Sequence, residues 1–581
     1  MQRAGGLTIL ALLLLFALHG TAWQWPPAVN EPHWLCKARH WWQPDYCPRD
    51  FFLQSFNAHA VFLWVAGAAL QFASLEQVAW GGRLLVWGLL AWSWRRALIP
   101  VLQSEFAVLF AAGLLLIWMR FCTLSGEWLL GGVEAKGFAW ALVLLAVGEL
   151  SRGRFQWGGA AAGAAIALHP LVGGWAVIAV LIGISLACLS ERFQRRCCRA
   201  SPPRSKGAVA PLSDDAIAPQ GENAAAQPIV DAASRSPGLK TLLATGGWLI
   251  LCSLPGLIPA LRLLMTPTTP EQSTAAAIEQ VYGRLRHHLD PRSFDGVSVG
   301  AYLLLACLWC GGRYFADRRS SRLARSVPLS TPDNGCGGDP FWVGRAVVSG
   351  SMVIAAVGLI VGYSEPLLTA VGLDARSVMA KLLKFYPFRL VDLVLPAGVA
   401  CLISAALLPK PTSNSIDSDQ RIADWLGRMV KILITAFSVA VATLVAAWPP
   451  PGVSTGGRLT PQLWADWERA CAWAKQNSDA DSLWVTPTFS RGFKWYAERS
   501  EFVCHKDCPQ DTAGILEWRR RMNLWERWRK DSFPAGVTVP EMKLLVRETQ
   551  AEYLLLHAEI AVQEQPIYRN ETFAIYRLPG E

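Results

Sequence analysis

The chain has 581 residues, of which 52% are hydrophobic and 17% are charged, and its formal net charge is +10. Soluble domains are about one quarter charged. The hydrophobic residues here lie in blocks that approach the ~20 residues a helix needs to cross a bilayer. The composition therefore predicts a polytopic α-helical membrane protein. It excludes a soluble enzyme, a nucleic-acid-binding module and a disordered scaffold as descriptions of the whole chain.

The apolar blocks predict roughly eleven to thirteen membrane segments. The first, from Leu7 to about Ala22, follows Arg3 and is interpreted as an uncleaved helix, although Gly20-Thr21-Ala22 would also serve as a signal-peptide cleavage site. The other blocks lie at about residues 57–74, 83–99, 102–119, 137–150, 157–169, 171–189, 241–261, 297–310, 341–362, 390–408 and 429–448. Several are short, so we expect some helices to be broken or half-spanning around a protein-lined cavity.

Two basic runs set the predicted orientation. They consist of Arg192, Arg195, Arg196, Arg199, Arg204 and Lys206, and of Arg313, Arg318, Arg319, Arg322 and Arg325. Short loops rich in Lys and Arg stay cytoplasmic, so both runs are placed inside. Residues 266–295, residues 363–389 and everything after about Pro449 then fall outside. The positive charge is thus assigned to membrane orientation and not to nucleic acid.

The chain divides into a predicted membrane domain, residues 1–448, and a predicted extracytoplasmic α/β domain, residues 449–581. The membrane domain includes a first external loop at 24–56 and a Pro-, Ala- and Ser-rich stretch at 200–236 that is interpreted as a disordered cytoplasmic loop. A shorter linker of the same kind lies at 327–339. The α/β domain is assigned helices at 460–475 and 512–530, and strands at 482–486, 553–557 and 572–578.

Cysteine positions give a second indication about the external segments. Cys36 and Cys47 share the first external loop, and Cys504 and Cys508 share the C-terminal domain. An oxidising compartment would permit a disulfide within each pair. Cys504-His505-x-x-Cys508 lacks the second ligand pair of a diagnostic zinc site, so no metal residue is assigned. No cofactor is predicted, and a divalent metal is left open.

The first external loop concentrates acids, imidazoles and tryptophans, from Asn30-Glu31-Pro32-His33-Trp34 to Asp50-Phe51-Phe52-Leu53. One interpretation is an amphipathic helix on the lipid headgroups, which accounts for the tryptophans. It accounts poorly for Glu31, because a carboxylate is unfavourable beside anionic headgroups. The other interpretation is catalytic, because Glu31 or Asp50 could accept a proton as a general base.

Other ionisable residues lie near the predicted outer boundary of the membrane. They are Glu134 and Lys136, His169 before Pro170, the group Arg284, Arg286, His287 and His288, and the pair Lys384 and Arg389. Cations and imidazoles in this position suit a phosphate ligand. Two structural alternatives stay open: His169 as a buried hydrogen-bonded histidine, and Arg389 in an i,i+3 salt bridge with Asp392.

The acid, aromatic and small residues of the first loop, Glu31, Trp34 and Ala38, resemble the first loop of the GT-C superfamily of membrane glycosyltransferases. Asn-Glu-Pro-His, Arg-Asp-Phe-Phe-Leu and Phe-Tyr-Pro-Phe-Arg-Leu also resemble an uncharacterised bacterial membrane family grouped with it. The resemblance implies an inner-membrane enzyme that takes a sugar from a polyprenyl-phosphate donor at an outward-facing site.

In that interpretation Glu31 is the base and Asp50 a second acid. Arg284, Arg286, His287, His288, Lys384 and Arg389 bind the donor phosphate, and Glu134, Lys136 and His169 are further candidates. The acceptor, whether glycan, lipid or protein, stays open. The alternatives are a catalytically silent GT-C-like scaffold and, less favoured because the chain shows no clear internal repeat, a transporter or flippase.

Overall fold

The computed structural model describes residues 2–23, 25–28, 30–199, 238–326, 341–408, 460–488 and 492–580. The predicted span at 429–448, the predicted disordered loop at 200–236 and the linker at 327–339 lie outside the described residues. So do the first residues of the predicted C-terminal domain.

The described residues are mostly helical. The α-helices are α1 Gln2–Trp23, α2 Lys37–Trp42, α3 Phe51–Gln54, α4 Ala60–Ala69, α5 Leu75–Leu102, α6 Glu105–Phe121, α7 Ala135–Ser151, α8 Phe155–Leu168, α9 Pro170–Arg199, α10 Leu239–Leu264, α11 Pro270–Ile278, α12 Arg286–Leu289, α13 Gly296–Ser326, α14 Trp342–Gly362, α15 Glu365–Ala370, α16 Ala375–Leu383, α17 Arg389–Leu407, α18 Pro461–Asn477, α19 Phe493–Tyr496, α20 Thr512–Ser532 and α21 Val539–Thr549. Pro32–Cys36 and Glu279–Arg284 are π-helical, and Pro291–Ser293 is a 3-10 turn.

Fewer helices than predicted are long and apolar enough to cross a membrane. Among the described residues there are 5, or up to 6 if α5 and α6, which meet at 119°, are counted as one bent span. The five are Pro170–Ser190, Leu239–Leu264, Gly296–Phe315, Trp342–Gly362 and Arg389–Leu407. The prediction of eleven to thirteen is therefore wrong for this part of the chain. The physical reason is length: α4, α7 and α8 have 10, 17 and 14 residues, less than a ~30 Å hydrocarbon core requires.

Small residues bring the apolar helices into close contact. Gly159 and Gly163 of α8 face the backbone of α10 at Thr245 and Leu249, so closely that a side chain would collide with it. Gly183 of α9 faces the backbone of α14 in the same way. Close backbone approach through small residues is typical of helices that pack within lipid.

The C-terminal region forms a small mixed sheet covered by helices. Its strands are β1 Leu483–Val485, β2 Ser500–Glu501, β3 Tyr553–His557, β4 Tyr568–Arg569 and β5 Phe573–Arg577, in the order β2-β1-β3-β5-β4. β1 pairs in parallel with β2 and β3, whereas β5 is antiparallel to β3 and β4. The two helices and three strands predicted in this region are confirmed to within a few residues. β2 and β4, two residues each, were not predicted.

Part of the first-loop segment is buried against the C-terminal region. Trp34 and Leu35 are buried, and Tyr46 donates a hydrogen bond to the carbonyl of Lys494 in the C-terminal region. The backbone N–H of Ala58 donates to Gln510 Oε1 at 2.9 Å. The interpretation as a helix resting on headgroups therefore fails at Trp34, which protein covers. Trp41 and Trp42 are 39% and 38% exposed, so for that end of the segment the interpretation stays a prediction.

Neither of the two disulfides that an oxidising compartment would permit is formed in the described part of the chain. Cys36 and Cys47 are both buried free thiols. In the second pair, Cys508 Sγ lies 3.4 Å from the carbonyl oxygen of Pro509, to which it donates.

Candidate functional site

The loop of residues 122–134, between α6 and α7, is fastened to the beginning of α17 by one carboxylate. Asp392 accepts the backbone N–H groups of Leu124 at 2.6 Å, Ser125 at 3.0 Å and Glu127 at 2.8 Å. The Ser125 hydroxyl also donates to it at 3.0 Å. These bonds fix the position of the loop and, with it, the side chain of Glu127.

Glu127, Glu134, Lys136 and Arg389 form a buried group of charges that we call the Glu127 cluster. Arg389 Nε lies 3.0 Å from Glu127 Oε2. Lys136 Nζ lies between the two carboxylates, 3.6 Å from Glu127 Oε1 and 3.7 Å from Glu134 Oε1. Arg389 thus pairs with Glu127, and the i,i+3 pair with Asp392 that the sequence left open is not formed.

The Glu127 cluster has few good hydrogen bonds of its own. Glu127 Oε1 is buried and accepts none among the described residues, and Arg389 Nε approaches Glu127 without hydrogen-bond alignment. Asn30 Nδ2 donates to Glu134 at 3.3 and 3.5 Å. Buried polar atoms in proteins almost always have a partner. The cluster therefore keeps hydrogen-bonding capacity that a bound ligand could use.

The two carboxylates of the cluster have different acidities. Burial raises the pKa of Glu134, and the nearby charge of Lys136 opposes the rise only in part. Burial acts in the same direction on Glu127, but Arg389 and Lys136 together hold its pKa below the ordinary value. Two acids whose pKa values are driven apart can take separate proton-transfer and charge-stabilising roles. Glu134 is the one suited to exchange a proton.

Two cations from other elements lie beside the cluster. Arg284 Nη2 donates to the carbonyl of Lys506 at 3.0 Å. Burial lowers the pKa of Lys506, and its neighbours include Arg284, Glu134 and Lys136. Solvent nevertheless reaches the Lys506 side chain. Lys506 therefore lies at the solvent-exposed edge of the Glu127 cluster.

His287 and His288 lie beside the cluster, and both of their rings are neutral. His288 Nδ1 contacts the carbonyl of Ser125, and the two imidazoles lie with centroids 4.0 Å apart. Burial lowers the pKa of His288 to about 3 and also lowers that of His287. Both rings are neutral at pH 7 and add no positive charge. Because a carbonyl oxygen only accepts, the single proton of His288 lies on Nδ1, and its Nε2 cannot donate to a phosphate. His287 can still donate from one ring nitrogen.

A second buried group, which we call the Lys494 cluster, joins the first-loop segment to the C-terminal region. Lys494 Nζ lies 3.2 Å from Asp50 Oδ2, 2.9 Å from Glu501 Oε2 and 2.6 Å from Asp507 Oδ2. Asp507 Oδ1 is 2.9 Å from His33 Nδ1. One ammonium group thus neutralises carboxylates from both sides of the interface.

The charges of the Lys494 cluster stabilise one another. Burial favours the neutral form of Lys494, but Asp50, Asp507 and Glu501 raise its pKa well above the ordinary value. Burial would also raise the pKa of Asp507, yet Lys494 and His33 hold it well below its usual range. Burial lowers the pKa of His33 itself to about 4. This cluster is saturated and serves to hold the two regions together.

Glu31 and Asp50, the predicted catalytic acids, are both fully bonded. Glu31 is completely buried and forms two bonds of 2.7 Å with the guanidinium of Arg83. It also accepts the N–H groups of Ala28 at 2.7 Å and Val133 at 2.8 Å. Asp50 caps α3 by accepting from Leu53 N at 3.0 Å. The structure therefore gives both acids structural partners, although Val133 lies directly before Glu134 of the Glu127 cluster.

His169 lies against a second buried histidine. Its Nδ1 accepts the N–H of Val172 at 3.3 Å, and its ring is 4.6 Å from that of His59. His59 Nε2 is buried without a hydrogen bond, while its Nδ1 lies 3.0 Å from Asn57 Oδ1. His169 thus matches the buried, hydrogen-bonded alternative.

The remaining predicted residues, Arg286 and Lys384, form no ion pair with the Glu127 cluster in the described part of the chain. Arg286 is exposed. Burial and the charge of Lys381 lower the pKa of Lys384. Its Nζ lies 5.3 Å from the centroid of the Phe385 ring. Neither Lys381 nor Phe385 belongs to the Glu127 cluster. The structure thus brings together Glu134, Lys136, Arg284, His287, His288 and Arg389.

A metal ion does not fit the ligand atoms as they are arranged. Within the described ranges, Glu501, Cys504 and Asp507 place ligand atoms within 4.8 Å of one another. The ammonium of Lys494 already contacts both carboxylates of this group. A divalent cation would have to displace it.

Comparison with known proteins reaches only part of the chain. Residues 465–525 are similar to a family described as a domain of unknown function, DUF6798. No curated protein matches the chain. The similar stretch contains Lys494, Glu501 and Asp507 of the Lys494 cluster, and Lys506, which lies beside the Glu127 cluster.

Sequence reasoning missed Glu127, Lys494, Lys506 and Asp507. Glu127 carried a usable signal, because it is the one carboxylate in the apolar stretch 121–132, and ionisable residues in such stretches mark functional sites by default. Lys494 stands between aromatic residues in Phe493-Lys494-Trp495, which hints at burial. Lys506 and Asp507 follow no pattern that distinguishes them from solvated charges.

Proposed function

We propose that the protein transfers a sugar from a polyprenyl-phosphate donor to a hydroxyl acceptor, at the Glu127 cluster and the cations beside it. The observation that carries the proposal is the juxtaposition of an acid with raised pKa, Glu134, and the cations Lys136, Arg389, Lys506 and Arg284. Such a site pairs a proton acceptor with groups that stabilise a leaving phosphate.

The phosphate side of the proposal rests on charge and hydrogen-bonding capacity. Arg389 stands at the first residue of an apolar helix, where a lipid-linked phosphate would arrive while its chain stays in the bilayer. Lys506 and Arg284 lie beside the cluster, and both are cations that can donate to the phosphate. Cations and donors placed where charge develops on the leaving group lower the barrier to its departure.

On the acceptor side, the general base is Glu134 and not Glu31, because both carboxylate oxygens of Glu31 already accept hydrogen bonds from within the protein. The acceptor hydroxyl oxygen would form a bond to the sugar's anomeric carbon as the bond from that carbon to the phosphate oxygen breaks. Its proton passes to Glu134, and the polyprenyl phosphate leaves as an anion. Glu127 stays charged and keeps Lys136 and Arg389 in position.

The test is donor consumption by the purified protein in proteoliposomes that contain a panel of polyprenyl-phosphate hexoses and detergent-solubilised envelope glycans as acceptors. Glu134→Gln should lower the rate by roughly 10²–10⁴ without changing the midpoint of thermal unfolding. Glu517→Gln is the matched control. It removes a half-buried carboxylate in α20, away from the cluster, and should keep the wild-type rate. A wild-type protein that consumes no donor, or a Glu134→Gln variant with the wild-type rate, would rule the proposal out.

A catalytically silent scaffold is the second candidate, and one observation favours it. Glu31 and Asp50, which the resemblance would make catalytic, are occupied by Arg83 and Lys494. A scaffold predicts that no donor in the panel is consumed and that Glu134→Gln behaves as the wild type in every assay except stability.

A further inference from the structure

The segment of residues 363–385 connects two candidate spans, α14 and α17, and contains only the short helices α15 and α16. No part of it is long enough to cross a bilayer. If α14 and α17 both cross, the end of the first and the beginning of the second lie at the same membrane face. The whole segment must then lie along that face.

One side of this segment carries large apolar residues that no described part of the protein covers. The exposed fractions are 68% for Leu367, 63% for Val371, 51% for Leu373 and 52% for Leu382. The opposite side is buried, as Met379 at 1% shows. The segment therefore has apolar residues that pack against the protein and other apolar residues that face outward.

Its charged residues favour an anionic surface. Arg376 and Lys381 are exposed and Lys384 is half-buried. Glu365 is paired with Arg292 at 2.6 Å. Asp374 caps α16 by accepting from Ser377 N at 3.3 Å and keeps its negative charge, but Arg376, Lys381 and Lys384 outnumber it. The charge left to face outward is positive.

We infer that residues 363–385 form a membrane-surface segment whose outward apolar side chains enter the acyl region and whose lysines contact anionic phospholipid headgroups. Apolar side chains flanked by Lys and Arg are the combination that seats a helix in the interface of an anionic bilayer. The segment ends four residues before Arg389, so its seating also sets the depth of the Glu127 cluster relative to the headgroups. This inference does not depend on the proposed function.

The experiment places a fluorescent non-canonical amino acid at position 373 of the full chain, reconstituted in vesicles with phospholipids brominated near the top of the acyl chain. The control label stands at Leu544, a residue of α21 in the C-terminal region with a similar exposed fraction of 45%. We expect bromolipid to quench the label at 373 at least about twofold more than the label at 544. Equal quenching at the two positions would overturn the inference.

Two further arms separate headgroup contact and protein contact from acyl insertion. Quenching at 373 should increase when brominated phosphatidylglycerol replaces brominated phosphatidylcholine. K381Q/K384Q should remove this increase and keep the quenching by brominated phosphatidylcholine. A K381Q/K384Q protein that retains the increase contradicts the headgroup contact. A label at 373 that is shielded from aqueous iodide but insensitive to bromolipid would mean that another protein covers the surface, and would also overturn the inference.

Discussion

Two buried carboxylates, Glu31 and Glu127, differ in how completely the protein bonds them. Glu31 has two guanidinium bonds from Arg83 and two backbone N–H bonds, from Ala28 and Val133, all between 2.7 and 2.8 Å. Glu127 has one ion pair of 3.0 Å with Arg389, another of 3.6 Å with Lys136, and a buried oxygen with no hydrogen bond among the described residues. Burial is common to both, so burial does not tell a structural charge from one available for chemistry.

What distinguishes them is the spare bonding capacity that remains after folding. A saturated buried pair offers nothing to a ligand, whereas an under-bonded one gains when a ligand supplies the missing partner. On this criterion Glu31 and the Lys494 cluster hold the fold together, and the Glu127 cluster is the candidate site.

The largest effect that tests this comparison comes from removing the partner of Glu31. Arg83→Met leaves a carboxylate buried with only backbone donors, which should cost about 3–5 kcal/mol of stability. The measurement is the midpoint of thermal unfolding in detergent, together with the yield of monodisperse protein. The double variant Glu31→Met with Arg83→Met should recover most of the loss, because replacing a buried pair by apolar groups is often neutral. If Arg83→Met is as stable as this double variant, Glu31 does not depend on its partner and the comparison fails.

A somewhat smaller effect is expected from Lys494→Met, because protonation of the carboxylates that remain can relieve part of the loss of stability. At pH 7 the variant leaves Asp50, Glu501 and Asp507 facing one another, and we expect a loss of about 2–4 kcal/mol. In the wild type, the pKa of Asp507 lies below its unfolded value. Its contribution is therefore present above about pH 4 and is lost as the pH falls further towards the folded pKa.

The pH dependence of that variant gives the sign test. Without Lys494, burial raises the pKa of Asp507, so acidification neutralises the repulsion in the variant while it weakens the wild type. The difference in thermal midpoint between the two proteins should therefore shrink as the pH is lowered from about 7 to about 4. Lys494→Arg, which keeps the charge, should lose less than Lys494→Met at pH 7. A difference that stays constant with pH would show that Lys494 acts by packing and not by charge.

The C-terminal region was the part most predictable from the sequence. The strand predicted at 553–557 is β3 with the same ends, and the helix predicted from Thr512 begins at Thr512. Both depend on local alternation or periodicity, which a short window contains. The span count failed because not every apolar block is long enough to be a span. The predicted blocks at 137–150 and 157–169 correspond to α7 and α8, which residues 152–154 separate, but each of these helices is too short to cross alone.

The candidate site could be predicted only in part. Glu134, Lys136 and Arg389 were recognised as ionisable residues at helix ends, but their gathering depends on Asp392 binding the loop of residues 122–134 across more than 250 positions of sequence. Neither could the sequence show that Glu31 is occupied, because its partner Arg83 lies 52 residues away. Saturation is a property of tertiary contacts, and no local pattern reports it.

The smallest effect concerns a half-buried carboxylate that is bonded almost as fully as Glu31. Glu517 accepts two bonds from Arg520, at 2.7 and 2.8 Å, and one from Arg521, at 2.7 Å, and these guanidinium groups lower its pKa to about 2. Its side chain is 31% exposed, compared with 0% for Glu31. Water therefore replaces much of what Glu517→Gln removes, and we expect a loss of only about 0.3–1 kcal/mol. A double-mutant cycle with Arg521→Gln, read from thermal midpoints in low and high salt, measures the coupling, and salt should reduce it. A coupling as large as that between Glu31 and Arg83 would show that the number of bonds alone sets the energy of these pairs. A small, salt-sensitive value would show that bonding and burial act together at Glu31.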